Sequence, residues 1–255
     1  MAESKIYNNP LYYDIAFDFR DIKKQVNLFE EFIKKYSKIK VKKVLDIACG
    51  PAGQLLEFAR RGYKAVGLDS SAAMLGYLGA KEKQGKIKIK KVQKDMANFK
   101  LKERADFAYI LMGSIIYLKN NNDFLKHLNS VSASLNKGGL YLIENMPLDW
   151  DNKEFYKPQT WTMKKDGITV MTAYQIGVKD TLKQTILQTI KLNINDHGKK
   201  TEFVDQDELK LIFPQELISL VRLNGTFEFL GWFERDRIAE LGKAKASNIV
   251  LLRKK

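Results

Sequence analysis

Residues 44–53 read Val-Leu-Asp-Ile-Ala-Cys-Gly-Pro-Ala-Gly, an apolar run that ends abruptly in small residues. A short aliphatic run bounded by glycine and proline predicts a buried parallel strand. Gly50 and Gly53 allow a tight turn and the close approach of a ligand, and residues 54–61 continue as a helix. Because the first amide groups of a helix are free to donate hydrogen bonds, this stretch predicts a strand, a glycine turn and a ligand-binding helix N-terminus.

The sequence around this stretch alternates between strand and helix patterns. Strands are predicted over residues 43–47, 64–68, 86–93, 105–111 and 140–144, with helices between them and one more helix over 21–38. Such an alternation predicts an α/β fold with a doubly wound, mostly parallel sheet of the Rossmann-like type.

After Asn145 the pattern changes to β-rich runs separated by hairpin turns, at 160–164, 169–178, 181–195 and 199–213. Pro214 then begins a helix, and two further strands follow. We therefore expect a seven-stranded core sheet with an antiparallel β lid inserted after the fifth strand. The expected segments are 1–147 for the N-terminal helix and the core, 148–213 for the lid, and 214–255 for the C-terminal helix and the last two core strands.

Composition limits the class of protein. The net charge of +14 raises the possibility of a nucleic-acid partner, but lysine greatly outnumbers arginine and is spread along the chain. This distribution favours a solvated surface over an RNA-binding face. Cys49 is the single cysteine, so an internal disulfide is excluded. We see neither a signal peptide nor an apolar run of the roughly 20 residues that a membrane helix needs, and we expect a cytoplasmic protein.

Acidic residues end the second and third predicted strands. Asp69 can accept both hydroxyls of a ribose, and Asp95 with the apolar Met96 suits an adenine ring. An aspartate at a strand end can equally be a helix cap. However, ligands bind at the carboxyl ends of the strands in open parallel sheets, and three such sites on consecutive strands favour binding.

These segments together resemble the class I S-adenosylmethionine-dependent methyltransferases. Residues 44–53 resemble their first motif, 67–75 their ribose-binding segment, 94–99 their adenine-binding segment and 135–139 the approach to their fifth strand. The rest of the chain is similar to the lid-bearing small-molecule group, which includes sugar N-methyltransferases. One departure is Gly50-Pro51-Ala52-Gly53, where the family usually has Gly-Thr-Gly.

The resemblance implies S-adenosyl-L-methionine as cofactor and S-adenosyl-L-homocysteine as product. It places Asp69 at the ribose, Asp95 and Met96 at the adenine, and Met112-Gly113 beside the sulfonium. Tyr13 and Arg20 would close over the methionine carboxylate, although Arg20 can instead be an ordinary arginine on a helix surface. The full implied cofactor set is Tyr13, Arg20, Ala48, Gly50, Pro51, Asp69, Ser70, Met74, Asp95, Met96, Met112 and Gly113.

Tyr117 is the candidate catalytic residue, because it matches a position that faces the acceptor pocket and carries histidine in some relatives. It can equally be a packing residue. His127 is expected to be structural or on the surface, and His197 to lie exposed in a hairpin. Gly113-Ser114 stand where metal-dependent relatives carry acids, so no metal is expected.

We therefore predict a methyltransferase that acts on a small-molecule acceptor, at nitrogen or oxygen, as a monomer or homodimer. An aromatic-rich lid would cover the acceptor, although its aromatic residues can instead be its packing face: Trp150, Phe155, Tyr156, Trp161 and Tyr174. The alternatives are an RNA methyltransferase, which the charge supports, and a non-catalytic cofactor-binding scaffold protein.

Overall fold

The computed structural model describes residues 4–255. Its strands, in chain order, are β1 (Lys43–Ile47), β2 (Lys64–Asp69), β3 (Ile89–Gln93), β4 (Ala105–Ile110), β5 (Leu135–Glu144), β6 (Gln159–Lys165), β7 (Ile168–Asp180), β8 (Thr185–Asp196), β9 (Lys199–Lys210), β10 (Phe227–Glu234) and β11 (Asn248–Lys254). Its helices are α1 (Pro10–Ala16), α2 (Ile22–Tyr36), α3 (Gly53–Arg60), α4 (Ala72–Gly85), α5 (Asn121–Ser134) and α6 (Pro214–Asn224). Single 3-10 turns cover Ser114–Tyr117 and Lys153–Tyr156. None of the helices within this described range combines the length and the apolar character needed to cross a bilayer.

Seven strands form the core sheet, in the order β10-β11-β5-β4-β1-β2-β3. The pairs among β1 to β5 are parallel, whereas β11 runs antiparallel to both of its neighbours. The predicted doubly wound, mostly parallel seven-stranded sheet is therefore confirmed. The carboxyl ends of β1, β2 and β3 meet at one edge of this sheet, which is the edge where such folds bind ligands.

Apolar clusters cover both faces of the core sheet. The helices α2, α3 and α4 lie on one face, where Phe29 and Phe32 of α2 are completely buried. Asp21 caps α2, because its Oδ1 atom accepts a hydrogen bond of 2.9 Å from the amide of Lys24. The helices α5 and α6 cover the other face through residues such as Leu128 and Val221. Both faces of the sheet are thus buried under helices, and this packing holds in place the sheet edge that carries the acidic residues.

Strands β6 to β9 form the predicted antiparallel lid, in sequential order. The third lid strand begins at Thr185 and not at Thr181, because residues 181–184 form the turn before it. The first described residues and α1 pack on this lid: Ile6 and Ile15 join Ile168 and Val170 in one apolar cluster. The lid therefore holds the N-terminal segment as well as covering the core.

The third core strand is shorter than the sequence predicts. The helix α4 continues to Gly85, Lys86 ends it in the left-handed conformation with φ of 50°, and β3 begins only at Ile89. The prediction that the strand begins at Lys86 is therefore wrong. Lysine and isoleucine alternate from this position as they would in a strand, but Lys86 serves as the C-terminal cap of α4. Lys90 and Lys91 remain exposed on β3, which is an edge strand. Lysines there discourage edge-to-edge pairing with other chains.

Candidate functional site

The turns after the central strands adopt left-handed backbone conformations. Ala48 and Gly50 follow β1 with φ of 53° and 49°, and Met112 follows β4 with φ of 55°. Such conformations are strained for residues other than glycine and cluster at ligand sites. Gly53 does not shape the turn, contrary to the prediction, since it is already the first residue of α3. A Cβ atom there would lie 3.1 Å from Cδ1 of Ile22, so Gly53 serves close helix packing.

Asp69 links the ends of β1 and β2. Its Oδ2 atom accepts a hydrogen bond of 2.8 Å from the amide of Gly50, and its Oδ1 atom accepts one of 2.8 Å from the amide of Ser71. Burial raises the pKa of the Asp69 carboxyl, and these backbone hydrogen bonds oppose the rise. Each carboxylate oxygen keeps a free lone pair, so Asp69 can still accept two hydroxyl groups.

A buried polar chain fixes the turn after β4. The amide group of Gln54 donates to Oε1 of Gln25 at 2.7 Å, and the amide of Gln25 donates to Oε1 of Glu144 at 3.3 Å. The other oxygen of Glu144 accepts from the amide of Met112 at 2.9 Å. No local sequence pattern indicates this polar chain, which holds the strained Met112 through α2, α3 and β5.

A cavity of about 860 Å³ lies between the carboxyl ends of the core strands and the lid. This volume falls within the roughly 300–1,000 Å³ that small-molecule sites occupy. Four of the predicted site residues do not line the cavity: Arg20, Pro51, Met112 and Gly113. The predicted residues that line it are Tyr13, Ala48, Gly50, Asp69, Ser70, Met74, Asp95, Met96 and Tyr117.

Arg20 lies beside the cavity and not on its wall. Its charge opposes the rise in pKa that burial causes at Tyr13 and at Asp46, so the guanidinium is close to both. Burial nonetheless raises the pKa of Tyr13 to about 12. The Nε and Nη1 atoms of Arg20 are buried and have no hydrogen-bond partner within residues 4–255. An unpartnered buried guanidinium suits an anionic ligand group that would complete its hydrogen bonds.

Tyr117 belongs to a polar cluster at the lid side of the cavity. Its hydroxyl is 2.8 Å from the Tyr7 hydroxyl, accepts from Nε2 of Gln188 at 2.9 Å, and lies 3.4 Å from Oδ2 of Asp207. Tyr7, Gln188 and Asp207 are not among the site residues predicted from the sequence. The only sequence signal was the alternation along β9, which places Asp205 and Asp207 on one face.

The lid aromatic residues do not line this cavity. The rings of Trp150 and Phe213 pack at a tilt of 32°, with centroids 4.4 Å apart, and the indole N–H of Trp161 donates to the carbonyl of Ala16 at 2.7 Å. The interpretation that they cover the acceptor is therefore wrong. They are the packing face of the lid, which was the alternative, because large aromatic rings contribute most when they are buried against other apolar groups.

His127 is buried and structural. Its Nδ1 atom lies 2.8 Å from the carbonyl oxygen of Met96, and its Nε2 atom lies 2.6 Å from the Tyr141 hydroxyl. A carbonyl only accepts, so Nδ1 carries the proton and Nε2 accepts from the tyrosine. His127 thus holds the backbone at Met96, at the cavity wall, in its neutral form.

We expect the buried His127 to make folding sensitive to acid. Burial lowers its pKa to about 4, from about 6.5. Between these two values the unfolded chain binds a proton that the folded chain does not, so the free energy of unfolding falls as the pH falls. The loss is about 3 kcal/mol and is complete below pH 4. Urea unfolding from pH 7 to 4 measures it. A His127→Gln variant should lose stability less steeply over this range, and parallel curves for the two proteins would contradict the assignment.

Part of the sequence resembles known methyltransferases. Residues 44–139 match the family model described as Methyltransferase domain. A curated Geobacillus protein that is provisionally named a methyltransferase is 25% identical over 112 residues. This alignment covers 44% of the present chain and 45% of the relative, so the chain matches less than half the length of that protein.

Solved structures resemble the chain over nearly its whole length. An S-adenosylmethionine-dependent methyltransferase from Clostridium acetobutylicum matches with a TM-score of 0.80 and 16% identity, covering 95% of this chain and 96% of that one. CalS10, an amino pentose methyltransferase from Micromonospora echinaspora solved with its cofactor, matches with a TM-score of 0.74 and 16% identity over the same shares. At these identities the likeness establishes the fold, including the inserted lid.

Proposed function

We propose that this chain is an S-adenosylmethionine-dependent methyltransferase that transfers a methyl group to nitrogen or oxygen of a small-molecule acceptor. One observation carries the proposal: a single cavity extends from the strand-end acids to the polar cluster around Tyr117. Asp69 and Asp95 lie at its core side, and Asp207 lies at its lid side. One ligand can thus lie along the strand ends while a second reaches it from the lid.

S-adenosylmethionine is the cofactor of this class, and the residues present fit each of its parts. Asp69 has free lone pairs for the ribose hydroxyls, and Asp95 and Met96 line the cavity where the adenine would lie. Arg20 lies beside the cavity, and its unpartnered Nε and Nη1 atoms would bind the carboxylate of the methionine part once the side chain turns toward the cavity. A Cβ atom at Gly50 would meet only Tyr13, at 4.0 Å, so the ligand side of this turn is open. The cofactor supplies a methyl group activated by the positive sulfur to which it is bonded.

The protein contributes mainly positioning to such a reaction. The nucleophile must lie in line with the methyl group and the leaving sulfur, and holding them so is a proximity effect worth several kcal/mol. The lid and the N-terminal segment enclose the acceptor side, where Tyr7, Tyr117 and Asp207 present polar atoms. Together these groups can exclude competing water, and those with free hydrogen-bonding capacity can orient the acceptor.

The enclosed shape supports a small acceptor over RNA. The acceptor side of the cavity is walled by the lid strand β9 and by Tyr7 of the N-terminal segment, whereas RNA-binding proteins typically present a basic surface patch to the phosphate backbone. The resemblance to an amino pentose methyltransferase points the same way. To test the function, the protein would be incubated with labelled cofactor and either a panel of amino and hydroxy sugars or total tRNA. Label transfer to a small molecule is expected. Transfer to tRNA alone, persisting at high salt, would contradict the proposal.

Asp69→Ala should weaken binding of S-adenosylmethionine by more than tenfold, because the ribose loses its carboxylate partner. A hydrogen bond to a charged group contributes about 1.5–3 kcal/mol, which corresponds to that factor or more. Isothermal titration calorimetry measures the affinity. Since Asp69 also bonds Gly50 and Ser71, thermal unfolding of the variant should show that it still folds. Asp236→Ala, an exposed aspartate away from the cavity, is the matched control. Unchanged affinity in Asp69→Ala would refute the ribose assignment.

A further inference from the structure

We propose that the Asp207 carboxylate, and not the Tyr117 hydroxyl, binds the nucleophile of the acceptor and takes its proton, and that this nucleophile is an amine. The inference rests on the proposed methyl transfer to a small molecule. It replaces the role that the sequence suggests for Tyr117, which becomes a positioning residue for Asp207.

The hydrogen bonds of Tyr117 determine which group can accept a proton. A tyrosine hydroxyl has one hydrogen to donate and two lone pairs. Gln188 already donates to one lone pair of Tyr117. If Tyr117 gave its hydrogen to Tyr7, its oxygen would face the Asp207 carboxylate with no hydrogen between them. In the favourable arrangement, therefore, the Tyr7 hydroxyl donates to the Tyr117 hydroxyl, and the Tyr117 hydroxyl donates to Oδ2 of Asp207. The second of these hydrogen bonds is long, at 3.4 Å.

In this arrangement Tyr117 has no capacity left for a ligand. Both of its lone pairs accept hydrogen bonds from protein groups, and its hydrogen points to Asp207. Burial also raises the pKa of Tyr117, so the phenol stays protonated at neutral pH. A group that is saturated and protonated cannot serve as the base.

Asp207 has the free capacity that Tyr117 lacks. It is half-buried at the cavity wall, and in the described part of the chain it forms no ion pair. Its neighbour on the same face, Asp205, is satisfied differently: its oxygens accept from the Ser4 hydroxyl at 2.5 Å and from the amides of Lys5 and Ile6, each at 3.0 Å. Asp207 has only the one long hydrogen bond from Tyr117. Its remaining lone pairs are therefore available to a ligand.

The electrostatic surroundings of Asp207 suit a group that receives a proton. Burial raises its pKa, the negative charge of Asp205 raises it further, and the hydrogen bond from Tyr117 opposes the rise. The titratable groups that face Asp207 are thus Asp205 on β9, Tyr117 on the 3-10 turn and Tyr7 on the N-terminal segment. Three lysines line the same cavity, namely Lys94, Lys119 and Lys210, but within residues 4–255 none of them forms an ion pair with Asp207, so a positively charged ligand would supply the missing counter-charge.

The chemistry then selects an amine. An ammonium group gives one proton to Asp207 and becomes a neutral amine. The amine lone pair forms the new nitrogen–carbon bond as the carbon–sulfur bond breaks, and that electron pair stays on sulfur. The product is the methylated ammonium together with the thioether, and Asp207 then returns its proton to solvent. An alkyl hydroxyl is far too weak an acid to give its proton to a carboxylate.

The binding test uses cyclohexylamine and cyclohexanol, a matched pair of probes that differ in the polar group. Binding to protein saturated with S-adenosylhomocysteine is followed by NMR at pH 7. We expect the amine to bind at least fivefold more tightly than the alcohol, and Asp207→Asn to abolish this preference. Glu202→Gln is the control, since it removes an equal charge from β9 at a residue paired with Lys191. An absent preference in the wild type, or one that survives Asp207→Asn, would overturn the proposal.

A second measurement tests the direction of the hydrogen bonds. Titration of the labelled Asp207 carboxyl carbon should show a higher pKa in Tyr117→Phe than in the wild type, because the carboxylate loses its donor. An unchanged pKa would show that Tyr117 donates elsewhere. Calorimetry with S-adenosylhomocysteine on the same samples separates the two proposals. If the wild type does not bind S-adenosylhomocysteine, the proposed function is refuted. If it binds S-adenosylhomocysteine but does not prefer the amine over the alcohol, only the role of Asp207 is refuted.

Discussion

Replacing Arg20 by methionine is expected to weaken S-adenosylmethionine binding about 100-fold, while the cofactor-free protein unfolds with the same or a higher free energy. The two effects have one cause. The Nε and Nη1 atoms of Arg20 are buried with no protein partner within residues 4–255, so the folded protein gains little from them. Burying N–H groups of a charged side chain without hydrogen-bond partners is unfavourable, and an apolar side chain of similar length removes that penalty, which outweighs the lost attraction between Arg20 and Asp46. The bound carboxylate, in contrast, would lose two charge-assisted hydrogen bonds.

A ligand without the carboxylate makes this test specific. The variant should bind 5′-methylthioadenosine, which lacks the methionine carboxylate, with the affinity of the wild type. Calorimetry with both ligands and urea unfolding of the free protein measure the three quantities. Arg222→Met, at an exposed position on α6, is the control. An equal loss of affinity for both ligands would show that Arg20 acts on the shape of the site and not on the carboxylate.

The parts of the site that the sequence predicts are those that local pattern and sheet topology determine together. Residues 44–53 specify a strand and a turn by themselves, and parallel strands must end at a common edge. Asp69 and Asp95 therefore come to line one cavity with Gly50. The errors occur where a local alternative competes. Lys86 begins an alternation of lysine and isoleucine that is typical of a strand, but in the structure it caps the end of α4.

The acceptor side could not be predicted in this way, because its residues come from four distant segments. Tyr7, Tyr117, Gln188 and Asp207 meet only after the lid folds over the strand ends and the N-terminal segment docks on it. Taken alone, the alternation of charges along β9 resembles an ordinary solvent-facing strand. Asp205 illustrates the difference, since the partners that distinguish it from Asp207 lie 199 to 201 residues away in the chain.

Gly139→Ala is expected to lower the free energy of unfolding by about 3 kcal/mol or more, the upper range for overpacking a rigid site. An added Cβ atom would overlap the carbonyl oxygen of Asp106 on β4 and lie 3.0 Å from that of Asn136. Asp106 cannot move away easily. Its side chain accepts hydrogen bonds of 2.9 Å from the amides of Lys42 and Lys43, and one of 2.7 Å from Asn136. The clash therefore falls on backbone that is fixed on both sides, where β5 pairs irregularly with β4.

Gly76→Ala provides the matched comparison for this substitution. Gly76 lies within α4, and an added Cβ atom there meets nothing within 4 Å. Alanine should stabilise that helix by about 0.5–1 kcal/mol, because glycine loses more backbone entropy on folding. Urea unfolding of both variants should thus give changes of opposite sign. A loss below about 1 kcal/mol in Gly139→Ala would show that the strand pair yields, and that the glycine before the apolar part of β5 is not required by the approach of β4.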